Sequence, residues 1–321
     1  MIQEFIITNE HLEEFKRLDA FLASMIPDFS RTLLKKFFEQ GKVTCSSDEK
    51  LVLKKMPSLG TIILFEVPEV ENVDIEPQNI PLDILFEDDH LLVINKQAGL
   101  VIHPAPGNWD GTLVNAVLYH CPNLSGIGNE KRPGIVHRLD KGTTGVMVVA
   151  KSQKCHEGLV ELFSKHDIDR LYEAVVLGTR AEPEKTLEST IGRSPNNRLK
   201  MAINVNNGKK AITHMKVLKY YTHFSHVELK LETGRTHQIR VHLNQMLNSP
   251  ILNDPLYGRL KEEKYQHTKS MKSLLEEYEY PFLHAKVLGF VHPITKEKLL
   301  FEIPPPKIFQ DILEALEKED V

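Results

Sequence analysis

Arg132 to Ser152, RPGIVHRLDKGTTGVMVVAKS, sets one carboxylate, Asp140, in a polar loop between two apolar runs, Ile135-Val136 and Val146 to Val149. Gly142 and Gly145 permit tight turning and close backbone approach there. A loop mounted on rigid strands is a suitable place to hold a reactive side chain. Asp140 follows Arg138 by two residues, so a strand extending that far would point both to one face. Such a carboxylate can act as a nucleophile or as a general base. It can equally serve the turn itself, by accepting hydrogen bonds from Lys141 to Thr143. Spacing leaves these readings open.

Other chemistries find less support. The 15 histidines include His237 and His242, but no helical His-Glu-x-x-His occurs, and the 3 cysteines (Cys45, Cys121, Cys155) form neither a Cys-x-x-Cys knuckle nor a disulfide framework. No metal is expected. Asn206-Asn207-Gly208-Lys209-Lys210 matches neither a Walker loop nor a dinucleotide fingerprint, so neither ATP nor NAD is implied. No run approaches the ~18 to 20 uncharged apolar residues of a membrane span, and MIQEFIITNEHLEEF lacks the basic start and apolar core of a secretion signal. A cytoplasmic protein with no membrane partner is the expectation.

The net charge of -4 hides an uneven distribution. Lys16 to Lys55 holds 9 Lys/Arg against 5 Asp/Glu, Pro68 to Asp89 holds 8 Asp/Glu and no Lys/Arg, and Thr190 to His242 holds 10 Lys/Arg against 2 Asp/Glu. Two basic segments around an acidic connector suit a chain that grips a polyanion at two places, although solvated faces read the same way.

The elements that must carry these residues follow from periodicity. Leu18, Phe21 and Leu22 before Pro27 predict one short helix. Thr32 to Gln40 predicts another, with Leu33, Leu34, Phe37 and Phe38 as its apolar stripe, Ser30 as N-cap and Gly41 as stop. Strand-like runs follow at Lys42 to Cys45 and Thr61 to Val67. Pro68, Pro77 and Pro81 among acids predict a linker over residues 68–80. Beyond it, Ile84 to Phe86 and Leu91 to Ile94 predict a hairpin. Val146 to Ala150, Tyr172 to Leu177, Thr213 to Tyr220 and Val227 to Leu231 predict strands, with helices near Leu113 to Tyr119 and His156 to Lys165. The expected fold is α+β, a largely antiparallel mixed sheet over residues 81–321 ending in an acidic tail, preceded by a small α/β domain over residues 1–67.

Two resemblances sharpen this reading. RLDAFLASMIPDFSRTLLKKFFEQGKV, within Phe15 to Pro68, resembles the S4 RNA-binding domain through Arg17-Leu18-Asp19, Ser30-Arg31 and Gly41-Lys42-Val43. It departs at Cys45-Ser46-Ser47, where that family has Val-Asn-Gly, and at Gly60-Thr61, where it has Gly-Asp. Arg31, Lys35 and Lys36 are its candidate phosphate contacts. His137-Arg138-Leu139-Asp140 resembles the signature of the RluA-type pseudouridine synthases. Arg170 to Ala174, Thr233 to His242, Leu283-His284-Ala285 and His292-Pro293 resemble further segments of that family, in order. His103 to Leu118 is similar to its RluD branch, which implies a large-subunit ribosomal RNA substrate. The pattern also departs from the family, with Gly142 in place of the Asp of HRLDKDT and Asn253-Asp254 in place of Gly-Asp.

That resemblance implies an isomerase of uridine in RNA, needing no cofactor because no atom is gained or lost. It makes Asp140 the catalytic carboxylate, with Arg235 paired to it, Tyr172 stacked on the base and Ile239 in the apolar wall. Arg138 would enter the space vacated by a flipped uridine. A monomer is expected. A non-catalytic RNA-binding factor and a hydrolase releasing free uracil are the rival readings.

Overall fold

Two units divide the chain, Met1–Val73 and Asp74–Val321. The computed structural model describes residues 2–26, 31–46, 50–66, 75–104, 108–124, 126–129, 132–178, 182–197, 199–258 and 269–319.

In the small unit, β1 (Ile2–Ile6), β2 (Val43–Cys45) and β3 (Ile62–Glu66) form an antiparallel sheet in the order β1-β3-β2. Helices α1 (Asn9–Glu14), α2 (Leu18–Met25) and α3 (Arg31–Glu39) accompany it. Leu18, Phe21, Leu22, Leu34, Ile63 and Phe65 are fully buried together; of the stripe predicted for the second helix, Leu34 is among them, Phe37 and Phe38 pack on this core partly buried, and the Leu33 side chain lies outside the described residues. Each such side chain stabilises the unit by roughly 1.5 to 3 kcal/mol before entropy is counted. Gly41 ends α3 at φ +76°, a left-handed cap in which its N–H donates to Phe38 O and that of Lys42 to Phe37 O. Ser30, the predicted N-cap, lies outside the described residues.

The large unit opens with the predicted hairpin, β4 (Asp83–Glu87) and β5 (Leu91–Lys96), followed by helix α4 (Leu113–His120) and a two-residue pair, β6 (Gly128–Asn129) and β7 (Arg132–Pro133). Then come β8 (Thr144–Ala150), α5 (Gln153–Lys165), β9 (Asp169–Leu177), β10 (Glu184–Arg193), β11 (Met201–Ile203), β12 (Lys209–Tyr220) and β13 (Phe224–Leu231). After the short helix α6 (Gln238–Val241) lie α7 (Lys269–Glu277), β14 (Leu283–Val291), β15 (Lys298–Glu302) and α8 (Lys307–Glu319).

The sheet runs β11-β10-β12-β13-β9-β14-β8-β5-β4, with β15 beside β14. Its pairs are antiparallel except β14 with β8, as the expectation of a mixed, largely antiparallel α+β fold requires. β8 is buried along its whole length. Met147 and Val149 enter the apolar layer that holds Leu113, Val114 and Val117 of α4, whereas Val146, Val148 and Ala150 enter the layer that holds Cys155 and Leu159 of α5. Alternate residues therefore meet helices on opposite faces, which is why this stretch reads as an unbroken apolar run. At its start Gly145 sits at φ +117°, and a Cβ there would lie 2.2 Å from Ala285 O. Only glycine lets β8 and β14 approach so closely.

Two expectations need correction. The predicted linker ends earlier than residue 80, because Ile75, Ile80 and Leu82 pack on the large core and Gln78 N–H donates to Asn115 O at 3.0 Å. Asn115 Nδ2 returns a bond to Glu76 O at 2.8 Å. Prolines and acids there mark irregular backbone, whereas the interleaved isoleucines decide where it docks. The acidic C-terminal tail is likewise helix α8, whose Phe309, Ile312, Ala315 and Leu316 form a buried stripe.

Candidate active site

The backbone leaves the sheet just before Asp140. Ile135 bridges Val149, but no ladder follows, and His137 Nε2 accepts a hydrogen bond from Val148 N–H at 3.1 Å. A side chain thus takes the place of a strand partner and holds the loop away from β8. Burial, with Arg170 adding to it, pushes the His137 imidazole down to about 3, so it is neutral and able to accept that bond. Arg138 and Asp140 accordingly sit on a loop and share no strand face: Arg138 is exposed, whereas the Asp140 side chain is 18% exposed.

The turn is closed by backbone, with Thr143 N–H donating to Asp140 O at 3.0 Å. The carboxylate is thereby left to Arg240, whose Nη1 donates to Asp140 Oδ2 at 3.0 Å. Arg240 is fixed from behind by a bidentate pair with Asp254, Nε to Oδ2 at 2.7 Å and Nη2 to Oδ1 at 2.8 Å. His237 Nε2 lies 4.0 Å from Asp140 Oδ1, and its Nδ1 is 2.9 Å from the Tyr257 hydroxyl. Burial by itself would raise the Asp140 carboxyl, but the charges of His237, Arg240 and Arg138 outweigh it and hold the group below its ordinary 3.8. The Arg240 charge is opposed by burial and more than restored by Asp254 and Asp140.

A fully buried lysine completes the support. Lys96, at the end of β5, donates from Nζ to Gln97 O, Leu100 O and Lys141 O at 2.8, 3.1 and 3.2 Å. Three carbonyls use all three ammonium protons and tie the hairpin to the residue after Asp140. Burial draws this ammonium down to about 7, while Asp140 acts the other way.

Asp140, Tyr172, Ile239, Arg138 and Arg235 all line one cleft of about 550 Å³, a volume that accommodates a nucleotide. Tyr172 is on β9, opposite Ala285 and Leu229, and is 8% exposed, with its phenol pushed up by burial. Ile239 and Arg240 are adjacent on α6, which Gln238 fastens to β12 by donating to Ile212 O at 2.9 Å and Thr213 Oγ1 at 3.0 Å.

The expected pairing of Arg235 with Asp140 is overturned. Arg235 precedes α6, and its Nε donates to Lys210 O at 2.9 Å. Arg240, more than one helical turn later, is the residue that α6 turns toward the carboxylate. Arg31, Lys35 and Lys36 belong to the other unit. Lys35 is exposed, with Nζ 3.6 Å from Glu39, and the side chains of Arg31 and Lys36 lie outside the described residues.

Both departures from the family pattern have local reasons. A Cβ on Gly142 would lie 2.7 Å from Pro281 Cδ and 3.0 Å from Tyr280 Cδ1, so this chain fills with its own side chains the room an Asp would need. Asn253 sits at φ +60° and donates from Nδ2 to Tyr278 O. Asparagine tolerates the left-handed conformation that glycine takes without cost. Among the described residues one trio could offer three ligands to a metal, Glu87, His120 and Cys121, but Glu87 is already shared between Lys151 and His120, at 2.7 and 2.8 Å.

Comparison with known proteins shows the family. Residues 90–245 match the family model for RNA pseudouridylate synthase. The chain is 44% identical over 306 residues to the ribosomal large subunit pseudouridine synthase D of Zymomonas mobilis, covering 94% of this chain and 93% of that one. It is 39% identical to the protein of the same name from Vibrio vulnificus, covering 99% and 97%. Among solved structures, human RNA pseudouridylate synthase domain containing 4 superposes with a TM-score of 0.58 at 27% identity, over 73% of this chain and 93% of that one. Among the described residues no helix is long and apolar enough to cross a membrane.

Proposed function

Because this chain belongs to the RNA pseudouridylate synthase family, we propose that it isomerises uridine in large-subunit ribosomal RNA, with Asp140 as the catalytic carboxylate. The observation that carries the assignment is the Asp140–Arg240 pair, an ionised carboxylate held at 3.0 Å from its cation inside a cleft of nucleotide size. The reaction breaks N1 to C1′, turns the uracil, joins C5 to C1′, and loses the C5 proton while N1 takes one up, so that composition is unchanged. A carboxylate kept charged while partly desolvated can attack carbon or remove a proton, and Arg240 withholds no other group from that task. Tyr172 stacks on the flipped base, Ile239 walls its apolar side, and the exposed Arg138 enters the gap left in the RNA. We place the protein in the cytoplasm as a monomer.

The test is to map pseudouridines in ribosomal RNA from cells with and without the gene, by carbodiimide-dependent primer stops. One or more large-subunit stops should vanish with the gene. An unchanged map, or free uracil in the products of the purified protein, overturns the assignment.

The unit Met1–Val73 is proposed to act as the S4-type RNA grip, with Arg31, Lys35 and Lys36 on α3 contacting phosphates. Support comes from the charge balance of Lys16 to Lys55 and from helices α2 and α3 packed with a small sheet. Removing residues 1–73, and retaining Ile75 to Leu82 because they pack on the large core, should weaken RNA binding most at low salt and flatten its salt dependence. Turnover at saturating RNA should fall less than turnover at limiting RNA. Equal affinity and salt slope for full-length and shortened proteins would assign the unit another role.

A further inference from the structure

Resting on the reading of the cleft as a uridine pocket, we propose that Arg170 and Arg235 together clamp a phosphodiester beside the target nucleotide, an anion site distinct from the Asp140–Arg240 pair. Arg170 is 6% exposed, yet it lines the cleft. Its Nη2 donates to Glu232 O at 2.7 Å, and the guanidinium lies 5.7 Å from the centre of the Phe163 ring. Its buried Nε has no hydrogen-bond partner. Among the described residues no carboxylate lies within ion-pair distance of Arg170 or Arg235.

A cation so placed is costly, and the molecule shows it. Burial lowers the Arg170 guanidinium and the like charge of Arg235 lowers it further, with Tyr172 acting the other way. Two arginines facing one cleft without a counter-charge are unfavourable in the free protein and become favourable once an anion enters. Gly234 keeps the space open, since a Cβ there would lie 2.9 Å from Arg170 Nη1. A phosphodiester has one charge and two non-bridging oxygens, one for each guanidinium. A uracil carbonyl, being neutral, would leave the two cations uncompensated. Tyr172, whose hydroxyl is within electrostatic reach of both Arg170 and Asp140, connects the clamp to the reacting carboxylate.

The experiment uses a fluorescein-labelled stem–loop of large-subunit ribosomal RNA with one unpaired uridine, and two copies carrying a neutral methylphosphonate immediately 5′ or 3′ of that uridine. With the wild-type protein, one of the two neutral linkages should weaken binding about tenfold or more, the scale of a lost charge-assisted hydrogen bond. Arg170→Met and Arg235→Gln should each lose a comparable factor on the ordinary RNA and become insensitive to that linkage. Their salt slope should fall by about one phosphate. The proposal is overturned if wild type binds all three RNAs equally, a comparison that needs no variant to fold, or if variant and linkage losses multiply. Pseudouridine formation on the ordinary stem–loop is read separately. Its absence together with a sensitive linkage would refute the function and keep the clamp, whereas turnover with insensitive linkages would do the reverse.

Discussion

Asp140→Asn is expected to lower pseudouridine formation by at least about a thousandfold while leaving folding and RNA affinity nearly unchanged, because shape is kept and the reactive charge is lost. The fold should tolerate the change, since Arg240 retains its bidentate partner Asp254 and is not left unpaired. The measurement is single-turnover tritium release from RNA labelled at uridine C5, beside an affinity titration and a thermal melt. Activity above a few per cent of wild type would remove Asp140 from the chemistry. The pH dependence has a definite sign. The Asp140 carboxyl lies below its ordinary 3.8 in the folded protein, so its pairing contributes fully above the unfolded value and is lost only as pH falls through the lower folded one. Catalysis that needs the carboxylate should therefore persist at pH values where an unpaired aspartate would begin to protonate.

Replacing Arg240 should be as damaging, and by a different route. Arg240→Met leaves Asp140 and Asp254 as buried carboxylates without their common cation, a change expected to cost roughly 3 to 5 kcal/mol of stability. With the Arg240 charge and hydrogen bond gone, His237 and Arg138 alone oppose burial at Asp140, so its carboxyl moves upward, and the acid limb of kcat/KM moves up with it. Arg240→Lys should fold better and remain slow, since an ammonium cannot make the two-pronged contact with Asp254 and also reach Asp140. Arg235→Gln should leave the acid limb in place and act on KM, as a phosphate contact would. A kcat/KM profile against pH for folded Arg240→Lys or Arg240→Met that superposes on wild type would sink the role given to this pair.

Much of this site could be read from the sequence. The Asp140 loop stood out because two apolar runs, Ile135-Val136 and Val146 to Val149, bracket it, and Tyr172, Ile239, Arg138 and Arg235, which the family resemblance implied, do line the cleft with it. The cation beside Asp140 was less legible. Arg235 and Arg240 lie in one motif, and choosing between them needs the register of α6, a helix of four residues too short to show a period. The missed signal was Asp254, whose carboxylate marks which arginine is buried. Lys96 was illegible for another reason, since its partners are backbone carbonyls and leave no trace in side-chain chemistry. The linker misled because proline and acid report on regularity of backbone, whereas Ile75 and Ile80 report on docking.

The position of β14 governs when the site can come into being. Residues 283–291 lie between β9 and β8, strands made more than a hundred residues earlier. Until that segment is synthesised, the inner edges of β9 and β8 have no partner, and Gly145 lacks the Ala285 backbone against which it packs. Loop closure over such a separation is slow, and unpaired inner edges are open to other chains. The small unit, whose core is built from residues of Met1–Val73, has no such dependence and can fold while the rest is being made. The large unit acquires its centre only once residues 283–291 have been made, so a chain truncated before residue 283 loses the middle of its sheet, although Asp140, Tyr172 and Arg240 are all already present.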